Sequence, residues 1–212
     1  MWGQIIDYFE TSSGRWLQMV TAHLKISLIA LAIAMVIAIP AGFICVKYKK
    51  AEKLITSLFG ILRVIPSLAI LLLMLPIMGT GTAPATVALV LLAVPPILIN
   101  TATGLEGVPE FMLETADGLG MKSGQVWTKV RFPLAMPLIM TGIKTDAVEI
   151  IASATLAAKI GAGGLGDLIF TGIGLFKTDL LIIGGASVAI LSLLTGVLFG
   201  VCEKLLLKHR TI

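Results

Sequence analysis

The chain has 212 residues, of which 57% are hydrophobic and only 13% are charged, and its formal net charge is +4. A soluble domain holds about 25% charged residues, so this composition excludes an ordinary water-soluble protein. About 20 apolar residues are needed to cross the hydrocarbon layer as a helix, and residues 26–46, 64–105 and 180–202 are uncharged runs of at least that length. The composition therefore predicts an integral membrane protein, in contact with lipid and not with nucleic acid.

The first half of the chain predicts three membrane spans. The first covers residues 24–46 and ends at a run of lysines, and the second covers about residues 54–78. The uncharged tract 64–105 is long enough for two passes, and its Gly-Thr-Gly-Thr-Ala-Pro sequence at 79–84 predicts a turn between them. The third span is then residues 85–104.

The second half predicts two further spans around a polar loop and a glycine-rich segment. Residues 106–131 are too polar for hydrocarbon, so we expect an aqueous loop with helical content. The fourth span covers residues 134–158 and the fifth 180–202. Between them, residues 161–174 contain six glycines, whose permissive backbone favours a bend or a re-entrant element.

The basic residues predict the orientation of these spans. Ten of the 16 Lys and Arg residues fall on one side, four on the other, and Arg63 and Lys144 lie within spans. Because cytoplasmic loops are enriched in basic residues, the N-terminus should be outside and the C-terminus inside. The predicted fold is all-α with about five transmembrane helices. It comprises an external segment (1–22), a transmembrane domain (23–204) with a cytoplasmic loop (105–133), and a cytoplasmic tail (205–212).

The cytoplasmic loop carries a spaced motif. It reads Glu114-Thr115-Ala116, three residues, Gly120, nine residues, and then Val130-Arg131-Phe132-Pro133. This resembles the EAA motif of ABC importer permeases, which is Glu-Ala-Ala, three residues, Gly, nine residues, Ile-x-Leu-Pro. The match falls on Glu114, Ala116, Gly120 and Pro133, with Thr115 in place of the first alanine.

The resemblance implies that residues 114–120 form a coupling helix that docks on a separate ATPase subunit. It also implies that ATP and Mg²⁺ bind to that partner, that this chain binds no cofactor, and that it resides in the cell membrane of a prokaryote. The residues themselves are compatible with a short helix, in which small Ala116 permits the close approach of a partner and Gly120 ends the helix in the left-handed conformation. The alternative is an ordinary surface helix between two spans.

Three segments resemble the osmoprotectant permeases among the ABC importers: residues 65–69, 96–104 and 161–167. The resemblance implies the methionine-importer (MetI-like) permease fold, transport of glycine betaine, carnitine or choline, and a solute-binding protein as partner. Methionine permeases share the glycine-rich segment, so an amino acid is the alternative substrate. Because five helices enclose little volume, a second permease chain, identical or homologous, should complete the path.

Ionisable residues inside a span are costly, and they are therefore candidates for function. In the fourth span Asp146 and Glu149 lie three residues apart on one helical face, so they could line the translocation path and favour a cation. Alternatively, these groups and Lys144 pair with each other or with another helix. Asn100, near the cytoplasmic end of the third span, is a further candidate for the path or for a hydrogen bond between helices. We expect the long side chain of Arg63 to extend toward the cytoplasm.

The glycine-rich segment predicts an outer gate or a contact for the solute-binding protein at Gly163, Gly164 and Gly166, with a structural turn as the alternative. A phosphate-binding loop is excluded because no Lys-Ser/Thr follows the glycines. The sequence contains no pattern of catalytic or metal-binding residues: His23 and His209 lie at opposite ends, and Cys45 and Cys202 form no CxxC pair. A channel or secondary carrier would leave the Glu114 loop unexplained.

Overall fold

In a computed structural model of the chain, which describes residues 2–208, every secondary-structure element is helical, and the all-α prediction is confirmed. Residues 209–212 of the predicted tail, with His209 and Arg210, lie outside the described residues. A π-helix and a 3₁₀ turn extend the ends of α7, at Val126–Arg131 and Ala158–Ile160. The α-helices are α1 Trp2–Lys47, α2 Lys49–Leu62, α3 Ser67–Met78, α4 Thr82–Glu106, α5 Glu110–Gly118, α6 Ser123–Gln125, α7 Phe132–Ala157, α8 Gly166–Gly174 and α9 Thr178–Leu207.

Three of the described helices, α1, α4 and α9, are long and apolar enough to cross a membrane. They contain the first, third and fifth predicted spans. Helix α7 contains most of the fourth; it has 26 residues but carries the three charged side chains at 144, 146 and 149. The number of membrane crossings and the N-outside orientation remain predictions.

The second predicted span is not one continuous helix. The structure divides it into α2 and α3, separated by a break at residues 63–66. Pro66 has no N–H to donate, and its ring disfavours the helical conformation at Ile65. The last turn of α2 closes with the Val64 N–H on the carbonyl of Ile61 at 3.0 Å, and Pro66 adopts the extended conformation (φ −56°, ψ 134°). The break therefore lies inside a stretch that hydropathy alone predicts to be a single helix.

Helix α1 is much longer than the predicted first span. Its 46 residues extend roughly 69 Å at 1.5 Å per residue, more than twice the thickness of the hydrocarbon layer, with a kink at Ser12. The predicted external segment is thus the beginning of the same helix. It packs against α9, where the indole N–H of Trp16 donates to the hydroxyl of Ser187 at 2.9 Å.

Small residues bring the central helices α1, α4 and α7 into close contact. Ala30, Ala34, Ala38 and Gly42 recur every four residues of α1 and are all buried. A Cβ atom on Gly42 would lie 2.7 Å from Cγ2 of Thr101 on α4, so only glycine fits there. Membrane helices associate through such small residues because their backbones can then approach closely.

A second face of α4 packs on α7 in the same way, because a Cβ atom on Gly142 would lie 2.7 Å from Cβ of Asn100. Helix α4 is therefore the centre of the bundle.

Candidate coupling segment and translocation face

The segment that joins α4 to α7 contains the predicted coupling helix. The chain leaves α4 at Gly107, whose N–H donates to the carbonyl of Thr103 at 2.9 Å. Pro109 follows in the extended conformation (φ −58°, ψ 134°), and Glu110 stands in the first turn of α5, where its negative charge is favourable at a helix N-terminus. Helix α5 therefore begins four residues before Glu114.

The end of α5 agrees with the sequence prediction. The N–H of Gly120 donates to the carbonyl of Asp117 at 2.8 Å, and the N–H of Met121 donates to that of Ala116 at 3.1 Å, which is a Schellman motif. Gly120 has a φ of +73°, so its predicted left-handed conformation is confirmed. A Cβ atom there would meet nothing within 4 Å, so the backbone conformation, and not lack of space, requires glycine.

Helix α5 turns one face to the chain and another to solvent. Ala116 is 4% exposed, so its small side chain serves packing within the chain and does not receive a partner, unlike the sequence interpretation. Phe111, Thr115 and Leu119 are exposed and recur every four residues, which places them on one face. We call these three residues the docking face. The hydroxyl of Thr115 donates to the carbonyl of Phe111 at 2.6 Å and is thereby satisfied within the helix.

The third side of α5 is acidic. Glu110, Glu114 and Asp117 line a groove of about 370 Å³ between α5 and the following segment, with Val126 and Trp127 among the residues opposite them. Glu114, the first residue of the motif, therefore borders this groove.

Aromatic side chains connect the coupling segment to α1. Trp127, in the π-helix, contacts Phe43 of α1 with their ring centroids 5.6 Å apart, and Phe132 stacks on the same Phe43 at 5.5 Å. The guanidinium of Arg131 lies 4.7 Å from the centroid of the Trp127 ring, within cation–π distance. We call Phe43, Trp127 and Phe132 the aromatic cluster. The aromatic cluster thus places the coupling segment and the start of α7 in direct contact with α1.

Pro133 is the second residue of α7, where the helical backbone continues from the π-helix, and it has no N–H to donate to the preceding turn. The motif proline thus lies at the junction of the π-helix and α7.

A cavity of about 260 Å³ joins the break in the second span to α7. It is lined by the break residues together with Leu92 and Pro96 of α4 and Glu149 of α7, and Arg63 and Ser67 border it. Non-helical backbone at membrane depth is tolerated where it lines a cavity or is buried in protein. The cavity thus brings a guanidinium and a carboxylate to the same opening.

The two carboxylates predicted to share a face have different surroundings. Glu149 is exposed and opens into the cavity, whereas Asp146 is 1% exposed and its Oδ2 finds no hydrogen-bond partner among the described residues. Asn100 is half-buried, and its side-chain amide donates to the carbonyl of Pro96 at 2.9 Å. Lys144 pairs with Glu203 of α9 at 3.3 Å, so the pairing interpretation holds for this residue.

Sequence reasoning missed Arg63 and Ser67 as cavity residues. The signal in the sequence is a charge at Arg63, within a predicted span and close to Pro66. The expectation that the Arg63 side chain extends toward the cytoplasm stays a prediction.

The glycine-rich segment bends, as predicted, between α7 and α8. Gly164 is buried with φ +90°, and a Cβ atom there would lie 3.1 Å from Nδ1 of His23. A Cβ atom on Gly166 would overlap with the carbonyl oxygen of Thr155, so α8 begins directly against α7.

Gly163 (φ +74°) lies beside the carboxylate of Asp167. Burial raises the pKa of Asp167, and the positive charge of Arg15 opposes that shift. The three predicted gate glycines are therefore positions of close packing or left-handed backbone at one end of the bundle.

Residues 34–208 match the family described as "Binding-protein-dependent transport system inner membrane component". This match covers most of the chain, which therefore belongs to that family, the multi-pass permease subunits of ABC importers. The resemblance carried by the Glu114 motif is thereby confirmed. Members of this family are transport components of the inner membrane.

Particular relatives cover almost the whole chain. It is similar to the choline transport system permease protein OpuBB of Bacillus subtilis (strain 168), with 40% identity over 94% of this chain and 92% of the relative. It is also similar to the glycine betaine/carnitine/choline transport system permease protein OpuCB of the same organism, with 39% identity over 95% and 93%. Among solved structures, an inward-facing conformation of the MetNI methionine ABC transporter matches with a TM-score of 0.82 and 20% identity, covering 90% of this chain and 95% of that chain. At this identity the likeness establishes the MetI-like fold alone.

Proposed function

We propose that this chain is the permease subunit of an ATP-driven importer and that, with a second permease chain, it forms the path for a small quaternary amine such as glycine betaine, carnitine or choline. The observation that carries the substrate proposal is the similarity, at about 40% identity and over more than nine-tenths of both chains, to permeases named for these solutes. The EAA-like motif and its helical structure support the coupling to ATP.

In this proposal, ATP and Mg²⁺ bind to a separate ATPase, and the docking face of α5 seats in a groove of that subunit. The exposed apolar side chains of Phe111 and Leu119 support this assignment, because large apolar side chains in a water-facing loop gain free energy when a partner covers them. Closure of the ATPases would displace α5. The aromatic cluster would carry that displacement to α1, and the segment from Arg131 to Pro133 would carry it to α7.

The cavity at the break is the proposed translocation face. The carboxylate of Glu149 would attract a quaternary ammonium, and the guanidinium of Arg63 would attract the carboxylate that glycine betaine and carnitine also possess. Choline has no carboxylate, so it would depend on Glu149 more than on Arg63. Because Glu149 is open at the surface of the single chain, a second permease chain across a pseudo-two-fold axis would close the path.

The high-affinity site should lie elsewhere. Aromatic side chains commonly cage quaternary ammonium groups, and this chain has only 6% aromatic residues. A separate solute-binding protein would capture the solute and deliver it to the outer end of the bundle. Gly163, Gly164 and Gly166 are proposed to form the gate or the contact surface there.

The proposal is tested by co-expressing the chain with its ATPase and binding protein and measuring uptake of labelled choline, glycine betaine and methionine into proteoliposomes. We expect an ATPase to co-purify in stoichiometric amount and uptake of the quaternary amines to require ATP. Uptake of methionine instead would favour the amino-acid alternative. Uptake without any ATPase would refute the importer and favour a channel or secondary carrier.

A further inference from the structure

A groove of about 630 Å³ lies along α9, on the side that faces Lys144 of α7, and takes no part in the site described above. Gly196 and Gly200, which have no side chains, form its base, so the groove reaches the backbone of α9. Apolar residues, Val197 and Val201 among them, line one end, and charged residues line the other: Lys144, Glu203, Lys204 and Lys208.

The charged end carries a surplus of positive charge. Three lysines and one glutamate line it, and Glu203 pairs with Lys144 at 3.3 Å. Among the side chains that the structure describes, neither Lys204 nor Lys208 has an ion-pair partner, and both are exposed. They lie four residues apart at the end of α9, so both ammonium groups lie on one face. This arrangement attracts an anion and repels the quaternary ammonium group that the solutes proposed for the transport path share.

The groove changes from apolar to charged along the helix axis, as the membrane does at its surface. Leu193, Leu194 and Leu198 of α9 are exposed, which suits a helix surrounded by lipid. In the predicted orientation the C-terminal end of α9 is cytoplasmic, so the lysines stand at the level of the lipid headgroups and the glycines at the level of the acyl chains.

We propose that this groove binds one anionic phospholipid, with its headgroup phosphate between Lys204 and Lys208 and an acyl chain along Gly196 and Gly200. Basic pockets beside transmembrane helices are a known form of anionic headgroup site, and each lysine near the surface adds to the attraction. The orientation of α9 on which this site depends is the one used in the proposed function.

The test uses the assembled transporter in detergent, titrated with phosphatidylglycerol, phosphatidylcholine or inorganic phosphate, with bound lipid counted by native mass spectrometry. We expect phosphatidylglycerol to bind in preference to phosphatidylcholine. The double variant Lys204→Gln/Lys208→Gln should bind phosphatidylglycerol about tenfold to thirtyfold more weakly. It leaves the pair of Lys144 and Glu203 intact, so folding should be retained.

Two further variants separate the site from general effects of charge. Lys159→Gln/Lys177→Gln removes the same charge on the predicted outer side and should leave binding unchanged. The Gly200→Leu variant keeps every charge but fills the groove, so it should bind the lipid more weakly. Its Cβ would lie 3.4 Å from Nζ of Lys144, at the flexible end of that side chain, so the fold can accommodate the leucine.

The outcomes that overturn the proposal are distinct. Equal binding of both lipids, or equal loss in the outer control, would show that the groove is not an anionic lipid site. Competition by inorganic phosphate at the same concentrations would point to a free anion. Loss of permease pairing in the double variant would make the groove an interface between chains. Because lipid binding is counted without transport, its result is separate from that of the uptake assay.

Discussion

Replacing Phe111 and Leu119 by alanine removes the apolar part of the docking face. Phe111 is 63% exposed and Leu119 is 78% exposed in the chain, so most of the surface of each side chain is free to be covered by a partner. Full burial of such a side chain is worth about 1.5–3 kcal/mol. Docking that covers both should therefore gain about 1–2 kcal/mol from each, whereas the chain itself loses less than about 1 kcal/mol per substitution.

The double variant Phe111→Ala/Leu119→Ala should thus bind the ATPase about 30-fold to several hundred-fold more weakly, since each 1.4 kcal/mol corresponds to a factor of ten. The measurement is a titration of ATPase onto permease in lipid nanodiscs, together with substrate-stimulated ATP hydrolysis at saturating ATPase. Thermal unfolding of the permease alone should change little.

The chain offers a matched control in the turn between α8 and α9. Leu175 is 61% exposed and Phe176 is 95% exposed, and they lie on the predicted outer side. Leu175→Ala/Phe176→Ala removes a similar apolar area and should leave ATPase affinity unchanged. Unchanged affinity in the α5 variant, or an equal loss in the control, would refute the assignment of α5 as the docking helix.

Three other substitutions test particular positions. The Gly120→Leu variant should insert into the membrane normally, because its Cβ meets nothing within 4 Å and the left-handed backbone costs only about 1–2 kcal/mol, but it should lose substrate-stimulated ATP hydrolysis and uptake. Gly120→Asn is the control, because asparagine tolerates the left-handed backbone. Coupling retained in the leucine variant would contradict a docking role. The Gly166→Ala variant should have a lower thermal unfolding temperature in detergent, because the new Cβ overlaps the backbone of α7. Gly174→Ala, in the same short helix, is the control, because its Cβ meets nothing within 4 Å. Equal stability of the two variants would contradict the packing of α8 on α7. The double variant Asp146→Asn/Glu149→Gln should show reduced ATP-dependent uptake at normal expression. Most of the loss should come from Glu149→Gln alone, because Glu149 opens to the cavity. Unchanged uptake in the double variant would exclude both residues from the path.

Much of the fold could be predicted because the membrane requires it. Uncharged runs long enough to cross the hydrocarbon contain the cores of α1, α4 and α9, and the motif spacing places Gly120 at the end of α5. The left-handed conformation of Gly120 follows from local backbone preference, which a single sequence carries.

The remainder depended on information that hydropathy and spacing do not contain. An average over a window does not detect that Pro66 breaks a helix inside an apolar stretch. Residues three apart are about 60° apart around a helix, which is enough to place Asp146 inside the bundle and Glu149 at the cavity. The burial of Ala116 arises from tertiary packing, and the contact of Phe43 with Trp127 joins segments far apart in the sequence.

The close contact of α1 with α4 also limits how the protein can move. Where Gly42 meets Thr101, the backbone of α1 lies directly against the short side chain of Thr101, whose hydroxyl donates to the carbonyl of Ile97 at 2.7 Å, so no long side chain lies there that could change rotamer and allow sliding. We therefore expect the two helices to move as one rigid body. A displacement that the aromatic cluster passes to α1 would then carry α4 with it, and the cavity at residues 63–66 would change shape where α2, α3 or α7 moves relative to that pair.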